Sequence, residues 1–185
     1  MKKISLLFTI VLLMSVGAFA QTKSNAIKIN PLSAFLATGN VQYERAVSES
    51  SSVQLGVFYT GVSFGDTRFT GLGITPEYRL YIGNGEALDG FYIAPFARYQ
   101  NFTITSSATS SSFDEAKASL STYGGGVILG RQWLAGEAFV IDVFIGPSYN
   151  GGSLNVTQGN EDSFDNTGLF TGVGVRWGVV LGYAF

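Results

Sequence analysis

Counting back from Phe185, every second residue is apolar: Tyr183, Leu181, Val179, Trp177, Val175 and Val173. The intervening positions hold Ala184, Gly182, Val180, Gly178, Arg176, Gly174 and Gly172. A period of two is the signature of a strand with one greasy side. A strand facing water would place Lys, Glu, Thr or Ser on its second side. Glycines and a single arginine there point to a narrow space. The same alternation recurs in eight segments, near 26–37, 40–47, 52–63, 69–82, 91–104, 119–132, 138–150 and 169–185. In the fourth, Leu72, Ile74, Pro76, Tyr78, Leu80 and Ile82 oppose Gly71, Gly73, Thr75, Glu77, Arg79 and Tyr81. The breaks between segments are rich in Gly, Asn, Asp and Ser, the residues that supply turns. No apolar stripe of helical period persists after residue 20, so the chain is predicted to be all-β.

Apolar faces turned to a soluble core would leave the mixed faces in water, and those faces carry too little charge and too many glycines and aromatics. Apolar faces turned to lipid leave the mixed faces lining a closed interior. Backbone groups in hydrocarbon must all be paired, and a closed barrel is the sheet that has no edge. The predicted fold is an eight-stranded antiparallel up-and-down transmembrane β-barrel, with an interior that side chains can fill. The glycines of the last segment are expected to make room for large neighbours such as Arg176. The two longest breaks, 105–118 and 151–168, fall on the same end, as outer loops do in such barrels. "TGN" at 38–40 is short for an outer loop, and "GNGEALDG" at 83–90 is long for a turn. Outward aromatics fall into two groups, Phe35, Tyr59, Tyr99, Tyr123 and Tyr149 toward the loops and Phe91, Trp133, Phe139, Tyr183 and Phe185 toward the turns. Two such girdles are expected where a barrel meets two headgroup layers.

The N-terminus fits this setting. Lys2 and Lys3, the apolar run that follows and Ala18-Phe19-Ala20 have the layout of a secretory signal peptide. The apolar run is too short to cross a bilayer as a helix. The expected organisation is a cleaved leader over 1–20 and a barrel over 21–185. No Cys is present, which rules out disulfides and thiolate metal sites. No His is present either, which removes the commonest general base and metal ligand.

Charged residues in the inward phase are Glu44, Glu77 and Asp142 with Arg79, Arg98 and Arg176, three of each sign, and Lys28 is a further candidate at the base. Charges taken out of water need opposite partners, and arginine can bridge two carboxylates. This set is expected to form a salt-bridged plug. Without His no activated nucleophile can be assembled from it, so no enzymatic activity is expected. "GGGVILGR" and "GVGVRWG" match no phosphate-binding fingerprint and precede no helix. Loop acids Asp114, Glu115, Glu161, Asp162 and Asp165 lack the spacing of a calcium loop. No cofactor and no metal is expected, and no basic patch suggests nucleic acid.

With those residues in place, the chain resembles the small eight-stranded outer-membrane barrels of Gram-negative bacteria, the OmpA and OmpX type. It is most similar to a branch of unknown function whose N-terminal part reads like "KINPLSAFLATGNVQYERAVSESSSVQLGV", residues 28–57 here. The resemblance implies a location in the cell outer membrane, among lipid and lipopolysaccharide, as a monomer. It also implies handling by periplasmic chaperones and the barrel-assembly machinery, with Val179, Leu181, Tyr183 and Phe185 as the assembly signal. The enzymatic barrels of similar architecture share the fold pattern only, since their catalytic histidine has no counterpart here. The functional expectation is a structural or interaction protein of the envelope with exposed loops. The alternative is a narrow pore or a conduit for hydrophobic molecules of the OmpW type.

Overall fold

The computed structural model describes residues 23–65, 67–106, 116–158 and 171–185. The expected leader, the loop acids named above and most of the two long loops lie outside the described residues. The strands are β1 (Asn25–Ile29), β2 (Thr38–Ser48), β3 (Ser51–Phe64), β4 (Thr67–Glu86), β5 (Asp89–Ser106), β6 (Ala116–Ala135), β7 (Phe139–Gln158) and β8 (Gly172–Ala184). Each pairs antiparallel with the next, and β1 pairs with β8 to close the sheet into a barrel. β5, β6 and β7 run further than the alternation indicates, so parts of 105–118 and 151–168 are strand. Their polar ends are held by ladder pairing, from Asn101↔Ser121 to Ser106↔Ala116.

The first segment departs from its expected form. β1 stops at Ile29, and Pro31–Ala34 form a one-turn helix, α1. The cause is local: the Asn30 side chain accepts from the Leu32 and Ser33 amides at 3.0 and 3.2 Å, and Pro31 has no amide to leave unpaired. Ser33 Oγ then donates to the Asn30 and Thr38 carbonyls at 2.7 and 2.8 Å. The "TGN" read as a break instead opens β2, with Thr38 facing Thr60 and Asn40 facing Phe58.

At the end that carries both termini, the connections are two or three residues long, at 49–50, 87–88 and 136–138. The long "GNGEALDG" is explained there. A register shift between Ile82 and Glu86, with Gly83 at φ +71°, shortens the free loop to Ala87-Leu88. Leu88, itself at φ +75°, turns inward and is 1% exposed. Its side chain joins Ala26, Val140 and Ala184 in an apolar floor to the barrel.

The inner and outer faces follow the alternation closely. On β4, Leu72, Ile74, Tyr78, Leu80 and Ile82 are exposed, while Thr75, Glu77, Arg79 and Tyr81 are buried. Above the floor come a polar layer into which Tyr81 and Tyr92 are set, then Phe96 and Phe144, then a cluster of Phe69, Phe102, Ile104 and Leu120 near the loop end. Inner glycines make room for rings: a Cβ on Gly130 would lie 2.3 Å from the Tyr92 ring, and one on Gly178 would lie 2.8 Å from Phe144. In the last segment the large neighbours accommodated are Phe144 at Gly178 and the Lys28 stem at Gly182, rather than Arg176. Truncating Leu88 to Ala is expected to lower stability by about 2–5 kcal/mol, the cost of a buried Leu-to-Ala cavity. Urea unfolding followed by tryptophan fluorescence measures it.

Candidate functional site

The polar layer is built from side chains that the strand phase drives inward at similar height. Lys28 Nζ donates to Glu44 Oε2 at 2.5 Å, Gln132 Oε1 at 3.0 Å and Asp142 Oδ2 at 3.1 Å. Arg79 Nη1 donates to the same Asp142 oxygen at 2.7 Å and to Gln132 Oε1 at 2.9 Å, while its Nη2 reaches Glu77 Oε2 at 3.2 Å. Glu77 uses its other oxygen to accept from Arg176 Nη2 at 2.5 Å. Phenols and a hydroxyl complete the carboxylates: Tyr81 donates to Glu44 at 2.7 Å, Tyr92 donates to Asp142 at 2.8 Å, and Ser52 donates to Glu44. Gln132 returns its amide to the Leu88 carbonyl at 3.0 Å, which ties the polar layer to the apolar floor. Lys28, Glu44, Arg79 and Asp142 are inaccessible to solvent. Such burial is tolerated because each charge meets opposite charge and further hydrogen bonds.

The six ionic residues expected inside all lie inside, but five of them join one chain of ion pairs. Arg98 stands apart. Its Nε donates weakly to Thr75 Oγ1 at 3.4 Å, its guanidinium lies 5.6 Å from the Phe96 ring centre, and no carboxylate of the described residues pairs with it. Lys28, placed at the margin by strand phase, is central. The balance is four cations, Lys28, Arg79, Arg98 and Arg176, against Glu44, Glu77 and Asp142, rather than three of each sign. Gln132, Tyr81, Tyr92 and Ser52 were not singled out by sequence. Their inward phase was visible, but nothing in a single strand tells which inward polar residue reaches which neighbour.

Above this network, toward the loops, lies a polar cavity of about 230 Å³ lined by Asn40, Gln42, Thr75, Arg98, Phe144 and Arg176, among others. Asn30, Val175 and Trp177 also border it, and they belong to the wall. The wall is incomplete at this height. β8 pairs with β1 only from Leu181 to Ala184, so residues 172–180 extend past the last β1 partner. α1 lies beside β8 there, and a Cβ on Gly178 would come within 3.3 Å of Asn30 Nδ2. The cavity thus borders the notch between β8 and β2, which α1 flanks.

The C-terminal residues lie where strand phase puts them. Tyr183 is exposed, facing Ile27 and Phe139, and Val179 and Leu181 are half-buried on the same face. Phe185 exchanges two backbone hydrogen bonds with Asn25, at 3.0 and 2.8 Å. Replacing Asp142 with Ala is expected to lower stability by about 3–5 kcal/mol, since it removes the carboxylate that Lys28 and Arg79 share and leaves the buried network one negative charge short. The denaturant midpoint measures the loss, with Gly130→Ala, which pushes Tyr92 off Asp142, expected to fall between that variant and the parent.

Comparison with known proteins bears on the fold and the family. The crystal structure of a major outer membrane protein from Thermus thermophilus is similar to 89% of this chain and to 100% of its own, at 11% sequence identity and a TM-score of 0.53. A likeness at that identity concerns the fold alone. No curated protein matches the sequence. Residues 7–153 match the model of a family described as protein of unknown function, DUF3575, and the chain belongs to that family.

Proposed function

We propose that this protein is an eight-stranded barrel spanning the outer membrane of a Gram-negative cell, closed inside, with a structural or contact role at the envelope. The observation that carries the proposal is inverted polarity. Leu129, Ile145 and Val175 are 58, 59 and 65% exposed on the outer face, while Arg79, Glu44 and Asp142 are fully buried inside. An outer face this apolar exceeds the patches that soluble monomers expose. The exposed aromatics also bracket a band of the right height. Phe139 and Tyr149 on β7, and Trp133 and Tyr123 on β6, are each ten positions apart. Ten residues at about 3.3 Å each, tilted by about 45°, span about 23 Å, close to the apolar band of such barrels. Arg131, on the outer face at the turn-side girdle, lies 4.4 Å over Phe91 and 5.2 Å over Trp133, a place from which a guanidinium reaches headgroups.

A closed interior follows from the floor and the ion network, so the role falls to surfaces and loops. The solved relative in fold carries an outer-membrane description, which is consistent with this location. Lipid, lipopolysaccharide and the assembly machinery are the partners this role entails, with the C-terminal Tyr183 and Phe185 as the part offered to that machinery. A conduit for hydrophobic molecules is the alternative, and the notch between β8 and β2 favours it. An open sheet edge at lipid depth is tolerated only where it lines a cavity or is buried in protein.

Spin labels on cysteines at positions 129 and 143 are expected to collide with oxygen far more than with a water-soluble nickel reagent in reconstituted vesicles. Preference for the nickel reagent at both sites would end the membrane assignment. In planar bilayers the parent protein is expected to show no steady single-channel steps. Steps that vanish in Arg176→Ala or Glu77→Ala would establish a pore instead.

A further inference from the structure

We infer that the cavity above the ion network binds an oxyanion, a carboxylate or phosphate group, between Arg98 and Arg176. Four observations converge on it. Among the described residues the interior holds one more cation than carboxylates, and the surplus falls at this cavity, because Glu77 is already shared by Arg79 and Arg176 while Arg98 pairs with no described acid. Both guanidiniums lie near the same ring, Arg176 at 4.6 Å and Arg98 at 5.6 Å from the centre of Phe96, and both line the cavity. The Arg176 side chain is 9% exposed and its Nη1 is buried with no hydrogen-bond partner. Among the described residues no acidic side chain lines the cavity.

Arg98 is half-buried, and a cation drawn partly out of water without a counter-charge is unfavourable unless something supplies one. An oxyanion between two guanidinium groups supplies it with charge-assisted hydrogen bonds. Gln42, also in the lining, leaves its Oε1 unpaired while its Nε2 donates to Asn40 Oδ1 at 3.0 Å. A ligand hydroxyl or a bridging water satisfies that acceptor. The notch gives the site its route of entry. Val175 and Trp177, which border the cavity, are exposed on the outer face, so a chain attached to the oxyanion would run out along β8 onto apolar surface. The same head chemistry is presented by a free anion and by a single-chain amphiphile, and the test separates them. The inference concerns the pocket and stands whether or not the barrel crosses a bilayer.

Trp177 is a natural reporter, since the chain has two tryptophans and Trp133→Phe leaves this one. Purified Trp133→Phe protein in a non-ionic detergent is titrated with laurate, acetate and inorganic phosphate. Folding is monitored separately by the shift in gel mobility on boiling. A saturable change in Trp177 emission is expected, weakened at least tenfold by Arg98→Gln and abolished by Arg98→Glu, with the mobility shift retained in both. Arg98 is the cleaner target because it holds no carboxylate that its loss would strand. Tighter binding of laurate than of acetate or phosphate identifies an amphiphile as the source. Equal binding identifies a free anion. Saturation by none of the three, or titrations unaltered by Arg98→Glu, would overturn the inference.

Discussion

Every strand of the barrel contributes a side chain to one buried polar network: Lys28 from β1, Glu44 from β2, Ser52 from β3, Glu77, Arg79 and Tyr81 from β4, Tyr92 from β5, Gln132 from β6, Asp142 from β7 and Arg176 from β8. Its geometry constrains the rest. Asp142 can neutralise both Lys28 and Arg79 only if β1, β4 and β7 keep their heights, so a slip by one residue in any ladder would turn a charge outward. Low dielectric makes such a network specific as well as cohesive, because a half-satisfied version costs more than an apolar one. The glycines opposite Tyr92 and Phe144 serve the same end by letting rings lie flat against the wall beside the charges.

The alternation of apolar and mixed positions carried most of the fold, since an inner residue and an outer residue differ so sharply in company. Strand number, the side to which each residue points and the identity of the inner charges were all legible in that way. Pairing between those charges was not, because strand phase fixes direction but leaves open how far a lysine or arginine stem reaches across the lumen. Lys28 shows this: it sits near the end of a short strand, yet its stem brings Nζ among three acceptors. The Asn30-Pro31 turn was present in the sequence as a capping residue followed by proline. It was obscured by apolar neighbours Leu32, Phe35 and Leu36, which suit an outward-facing strand equally well. The inward fold of Leu88 had no local signal, because a leucine at positive φ is disfavoured on its own and is held there by the floor it completes.

Floor and network divide the lumen into unlike halves. The half near the termini is packed and neutralised, with Gln132 linking its apolar and ionic parts through the Leu88 carbonyl. The half toward the loops keeps unspent hydrogen-bonding capacity, on Arg176 and Gln42, and a break in its wall. Rigidity in the first half is what lets the second hold open polar space, since the guanidinium of Arg176 is anchored from below by Glu77 at 2.5 Å.

The seam between β1 and β8 joins residues from the two far ends of the chain through four ladder pairs. Contacts so distant in sequence carry the largest entropic cost of any in the fold, and here that cost is met by the shortest ladder. Lys28 lies on that seam, and its three acceptors belong to β2, β6 and β7. One ammonium group thereby acts as a rivet across the join, so the order in which the cylinder shuts is tied to the moment that lysine gives up its water.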